Sequence, residues 1–213
     1  MKFRPNILSG YVVNLAFDKL EDLNLMFNEI NDISLLEKAE LPRLEHLNLA
    51  NNKISDIKVL EKINFPELKK LDLSYNKISD INILEKVNFN ELQELYLNFN
   101  IITDITVLAK VAFTELKELN LSINNISDIN ILEKVKFDKL KVLNLKFNII
   151  KDINVLEKVN LKELIELNLS YNQISDISVL EKVKMEKLKL IDCSGNIINN
   201  SEFISSLKFK VEI

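Results

Sequence analysis

The chain has 213 residues, 47% of them hydrophobic and 28% charged, with a formal net charge of −4 and a pI near 5.3. That acidic balance argues against a nucleic-acid partner, whose binding domains are typically basic. No stretch approaches the roughly 20 apolar residues of a membrane-spanning helix, so no membrane partner is expected either. A single cysteine, Cys193, excludes an internal disulfide and points to a reducing, cytoplasmic setting.

The first residues, MKFRPNILSGYVVNLAF, combine two early cations with an apolar run. Ser9, Gly10 and Asn14 interrupt that run and no small-residue cleavage site follows, which disfavours a signal peptide. Tyr11, Val12, Leu15 and Phe17 instead fall in phase with Leu35, Leu36, Ala39 and Leu41, one repeat further on. Residues 1–19 are therefore expected to form a capping half-repeat over the first open face of the core.

From Leu20 the chain repeats with a period of 24 positions, without insertion or deletion, as 20–43, 44–67, 68–91, 92–115, 116–139, 140–163, 164–187 and 188–211. Such a period marks a stacked-repeat protein, here one elongated domain. We number the slots of each repeat from its leading leucine. Slots one, four and six are apolar, as in Leu68, Leu71 and Leu73. Slots four and six have strand spacing and point inward, while slots three and five point to the opposite face. Because every repeat enters in the same direction, the strands must be parallel.

Slot nine is asparagine in all eight repeats, from Asn28 to Asn196. The backbone leaves the strand there, and an amide side chain can both donate and accept to bridge adjacent repeats. Slot thirteen is aspartate in seven repeats, from Asp32 to Asp176, with Asn200 in the eighth. Apolar spacings of three and four follow it, as in Ile57, Leu60 and Ile63. This predicts a short helical turn with the aspartate as N-cap. A repeated Glu-Lys pair, as in Glu61-Lys62, is expected on the solvated outer face, and the slot twenty-two column from Leu41 to Phe209 as an internal spine. In the atypical last repeat Cys193 takes an inward slot, where it is expected to act as a small buried hydrophobe. The chain stops where a ninth strand should begin, so two readings stand for the second half of this repeat: a C-terminal cap, or a solenoid cut short.

Catalysis finds little support. His46 is the only histidine and lies six repeats from Cys193, about 29 Å at strand spacing. There is no glycine-rich phosphate loop and no Cys/His metal cluster. No enzyme, cofactor or metal site is expected.

The pattern LxxLxLxxNxIxDIxxL, as in Leu44 to Leu60, resembles a leucine-rich repeat, and the likeness covers Leu20 to about Val211. The Ile-x-Asp-Ile segment is similar to the internalin-like and SDS22-like subclasses, whose repeats are usually shorter than these. The resemblance implies an α/β fold: a curved leucine-rich-repeat solenoid, with a parallel sheet on the concave side and short helices or turns on the convex side. It also implies a protein partner bound on the concave face, at slots three, five, seven and eight.

Slot five is nearly uniform, with Asn24, Asn48, Asp72, Asn120, Asn144, Asn168 and Asp192, and is expected to form a hydrogen-bonded ladder that Tyr96 interrupts. Slot three varies most. Slot eight reads Phe27, Asn51, Tyr75, Phe99, Ile123, Phe147, Tyr171 and Gly195. Two readings stand for it: an exposed apolar strip that binds a partner, or rings lying flat on neighbouring turns. The candidate binding residues are Tyr75, Glu94, Tyr96, Phe99, Ile123, Val142, Lys146, Phe147 and Tyr171. The densest group lies in repeats four to six. The leading expectation is a monomeric, non-enzymatic protein-interaction module. The alternatives are a structural or consensus-designed scaffold without a dedicated partner, and a secreted or surface protein, for which Asn120, Asn125 and Asn168 head glycosylation sequons.

Overall fold

The structure, a computed structural model, describes residues 17–213. Tyr11, Val12 and Leu15 of the expected cap lie outside them; Phe17 lies inside and packs, partly buried, against the core. Nine three-residue strands follow: β1 Asp22–Asn24, β2 His46–Asn48, β3 Lys70–Asp72, β4 Glu94–Tyr96, β5 Glu118–Asn120, β6 Val142–Asn144, β7 Glu166–Asn168, β8 Leu190–Asp192 and β9 Lys210–Glu212. They form one open parallel sheet in chain order. This is the solenoid that the repeat phase implies.

From β1 to β8 each residue pairs with the one 24 positions on, as in Leu71 with Leu95. The last step differs. β9 pairs Lys210 with Leu190 and Val211 with Ile191, a step of only 20 positions. The expected phase would place that pairing at position 214, beyond the last residue. The ninth strand is therefore already formed at Lys210, and the second half of the eighth repeat is four positions shorter than its siblings. Phe209 consequently leaves the spine. Leu41, Phe65, Phe89, Phe113, Phe137, Leu161 and Met185 are buried in that column, whereas Phe209 is only partly so.

The expected helical turns are single turns of 3-10 helix, such as Lys58–Glu61 and Asn130–Glu133. Three residues per turn brings Ile57 and Leu60 onto one side, which suits a segment too short for an α-helix. The aspartates act slightly earlier than an N-cap. Each Oδ1 accepts the N–H two residues on, at 2.8–2.9 Å, as Asp104 does from Thr106. The intervening isoleucine occupies the cap position itself. On the outer face Lys62, Lys86, Lys110, Lys158 and Lys182 reach the glutamate of the preceding repeat, as in Lys110–Glu85 at 3.1 Å and Lys86–Glu61 at 3.6 Å. Exposed pairs of this kind contribute little individually.

The asparagine column joins the repeats. The isoleucine N–H of slot eleven, from Ile30 to Ile174, donates to the asparagine Oδ1 of the next repeat at 2.9–3.0 Å. The same side chain donates through Nδ2 to carbonyls of its own repeat and of the one before, as Asn124 does to Leu121 and Leu97. Among the described residues no buried side-chain nitrogen or oxygen lacks a partner.

Candidate functional site

Slots three and five lie on the open face of the sheet, and slot four is buried beneath them. In slot three polar side chains join β1 to β2 and β3 to β4. His46 Nδ1 lies 2.9 Å from Asp22, and Lys70 Nζ lies 2.7 Å from Glu94 Oε2. The Tyr96 hydroxyl donates to the same Glu94 oxygen at 3.0 Å, and Lys70 Nζ sits 4.7 Å from the centre of the Tyr96 ring. Burial, the Glu118 and Glu94 carboxylates and the bonds to them all push the Tyr96 phenol above its ordinary pKa, so it remains a donor. Burial would raise Glu94, but hydrogen bonds from Lys70 and Tyr96 outweigh it and hold the carboxyl below its ordinary value.

Slot five does not form the expected ladder. As the strand ends, each Asn or Asp Oδ1 turns to accept the N–H two residues on, as Asn120 does from Ser122 at 3.0 Å. That local bond occupies the acceptor, and the described residues show one cross-repeat bond within the column, from Asn168 to Asp192 at 3.1 Å. Tyr96 has no such acceptor, so its side chain is free to extend to Glu94.

Slot eight forms the rim. Phe27, Tyr75, Phe99, Phe147 and Tyr171 are 70, 43, 36, 44 and 48% exposed. The rings stack on one another in two pairs: Tyr75 on Phe99 with centroids 3.8 Å apart, and Phe147 on Tyr171 at 4.4 Å. Lys146 Nζ lies over the second pair, 5.1 Å from the Phe147 ring and 4.9 Å from Tyr171. Ile123 is half-buried between the pairs.

The backbone of this column is left-handed throughout. Its φ runs from 53° to 59° at Phe27, Asn51, Tyr75, Phe99, Ile123, Phe147 and Tyr171, and is 70° at Gly195. Asparagine and glycine tolerate that conformation, but bulky residues lose roughly 1–2 kcal/mol each in it. Six bulky residues stand there. Each stacked pair returns about 0.5–1.5 kcal/mol beyond its area burial. Stacking therefore offsets only part of the strain.

Seven of the nine predicted site residues thus fall into three groups. Tyr75 and Phe99 form one rim stack. Lys146, Phe147 and Tyr171 form the other. Glu94 and Tyr96 belong to the sheet-face network. Val142 lies on the sheet in register with Glu118 and Glu166, and Ile123 separates the stacks. The sequence reading missed Lys70, which joins Glu94 to the Tyr96 ring. It also missed the exposed Ile101, Ile149 and Ile197 of slot ten. The signal was present: these are the isoleucines in an otherwise polar column that holds Glu29, Lys53, Lys77, Asn125 and Gln173.

Cys193 is fully buried, and burial with the nearby Asp192 carboxylate pushes its thiol up to about 12. It is the small core hydrophobe that its slot implied. Among the described residues no group of three or more His, Cys, Asp or Glu side chains could hold a metal ion, and no helix is long and apolar enough to cross a membrane.

The family model for leucine-rich repeats, built on two copies, matches residues 18–62, 66–110, 114–158 and 162–208. The chain belongs to the leucine-rich-repeat family. No curated protein matches the sequence significantly. Among solved structures it is similar to an internalin, InlF, of Listeria monocytogenes, with 30% identity and a TM-score of 0.73 over 89% of this chain and 53% of that one. It thus spans about half of that internalin. A second likeness is to internalin C2 of the same organism, with 26% identity and a TM-score of 0.71, covering 90% of this chain and 78% of the other. A leucine-rich-repeat protein of Leptospira interrogans shares the fold at 22% identity, with a TM-score of 0.65 over 92% of this chain and 61% of its own. Leucine-rich-repeat proteins generally mediate protein–protein interaction.

Proposed function

We propose that this chain is a non-enzymatic, monomeric module that binds a protein partner across its concave sheet face and aromatic rim. One observation carries the reading. Bulky rings are held exposed on a left-handed backbone whose cost their mutual stacking does not cover. Backbone strain that persists on a surface is a recognised pointer to function, and contiguous exposed aromatic area suits a protein interface. The Lys70–Glu94–Tyr96 network would supply the charged, directional part of the contact and the two stacks the apolar anchors. The test is affinity capture from the source cell with wild type beside a Tyr96→Ala/Phe99→Ala/Phe147→Ala variant, both checked for equal folding. A partner held by wild type and lost by the variant supports the reading. Partners indifferent to the variant would move the interface to another face.

A further inference from the structure

The aromatic row has a gap at Asn51. Its neighbours at slot eight, Phe27 and Tyr75, and Asn51 itself line an open cleft of about 510 Å³. One side of the cleft is closed by Glu29 and Lys53, paired at 3.2 Å. Phe27 is the most exposed ring of the column, at 70%, and belongs to neither of the stacked pairs. Tyr75 stacks on Phe99, which lies in the following repeat. Tyr75 and Phe99 both line the cleft.

The spacing of the row sets what fits. Adjacent rings of this column stack with centroids 3.8 and 4.4 Å apart. Phe27 and Tyr75 are two repeats apart, about 9.6 Å at the spacing of neighbouring strands. A flat ring midway would sit about 4.8 Å from each wall, within the usual stacking range. An aliphatic side chain would pack on the ring faces without the added gain of an aromatic pair. We infer that the Phe27–Asn51–Tyr75 cleft is an aromatic slot, which accepts a tryptophan, tyrosine or phenylalanine side chain from the protein partner and so completes the interrupted stack. This rests on the protein-binding reading above and names the chemistry of one anchor.

The protein has no tryptophan, so indole emission excited at the red edge of its absorption reports only an added ligand. The probe is a blocked Gly-Ser-Trp-Ser-Gly peptide, followed by fluorescence anisotropy, with the leucine analogue as competitor. Wild type should bind the tryptophan peptide, and the leucine analogue should compete at least tenfold more weakly. Asn51→Phe fills the slot from within, at a position whose φ of 54° matches the 55° at Phe99, and should abolish binding while the fold is kept. Asn51→Gly leaves the slot open and suits the left-handed backbone, so it should bind as wild type does. Phe27→Ala and Tyr75→Ala each remove a wall and should weaken binding about tenfold. Wild type that fails to bind, or binding that Asn51→Phe leaves unchanged, overturns the slot. Either result leaves the concave-face reading intact, because that reading is tested by Tyr96, Phe99 and Phe147 rather than by Asn51.

Discussion

Asn124→Ala should destabilise the protein by about 2–4 kcal/mol, which follows from counting which partners each group retains. Asn124 Oδ1 accepts the Ile102 N–H at 2.9 Å, and Ile102 is fully buried. With the amide gone that N–H has no partner, at a cost of about 1–3 kcal/mol. The carbonyls that lose Nδ2 fare better. Leu97 O keeps the Asn100 amide at 3.0 Å, Leu121 O keeps Asn148 at 3.1 Å, and Ser122 O keeps the Phe99 N–H at 3.0 Å. They lose only second donors, which adds about 1 kcal/mol in total. Urea denaturation followed by circular dichroism gives the global change, and amide exchange at Ile102 locates it. Asn125→Ala, the exposed neighbour, should stay within about 0.5 kcal/mol of wild type. If Asn124→Ala did the same, or left Ile102 as protected as before, the asparagine column would not be what joins the repeats.

Gly195→Ala places a Cβ 2.8 Å from the Tyr171 ring on a backbone with φ of 70°. It should destabilise the C-terminal repeats by roughly 1–2 kcal/mol and shift the Tyr171 ring resonances; unchanged resonances and stability would refute the packing of that ring over the last turn. Hydrogen bonds from the following turn hold the Asp32, Asp104 and Asp176 carboxyls below their ordinary pKa of 3.8. A depressed carboxyl contributes stability that is present above its unfolded-state value and lost as pH falls through its folded-state value. The urea midpoint should therefore fall as the pH is lowered below about 4. Asp104→Asn, which can still accept the Thr106 N–H, should be less acid-sensitive than wild type; equal sensitivity would remove these turns as its source.

Fold and site were legible to different depths, for physical reasons. The solenoid was readable because each column does the same thing in each repeat: Leu71 and Leu73 alternate with polar slots, and Asn76 returns at every strand exit. The exit of Phe209 from the pattern was harder to see. A shortened loop changes register only through pairing across the sheet, and Lys210 carries no mark of its new partner Leu190. The site was half readable. Exposure at slot eight follows from the period, but whether a ring lies on its neighbour's backbone or on its neighbour's ring depends on φ. Phe27, Asn51 and Ile123, so different in shape, share a φ near 55° only because the asparagine bridge draws the chain the same way in each repeat.

That coupling explains how the rim can vary at all. The left-handed turn is imposed by slot nine, whose hydrogen bonds stand whatever occupies slot eight. Phe27, Asn51 and Ile123 can therefore replace one another at a cost of a few kcal/mol, without moving the strands. A position that is sterically strained but structurally dispensable would drift toward asparagine or glycine if stability alone were selected. Two of eight repeats carry those residues, and one of the two, Gly195, is required by the ring above it. The remaining choice, Asn51, lies in the row between two exposed rings, where the stack is interrupted and a cleft is open to a partner.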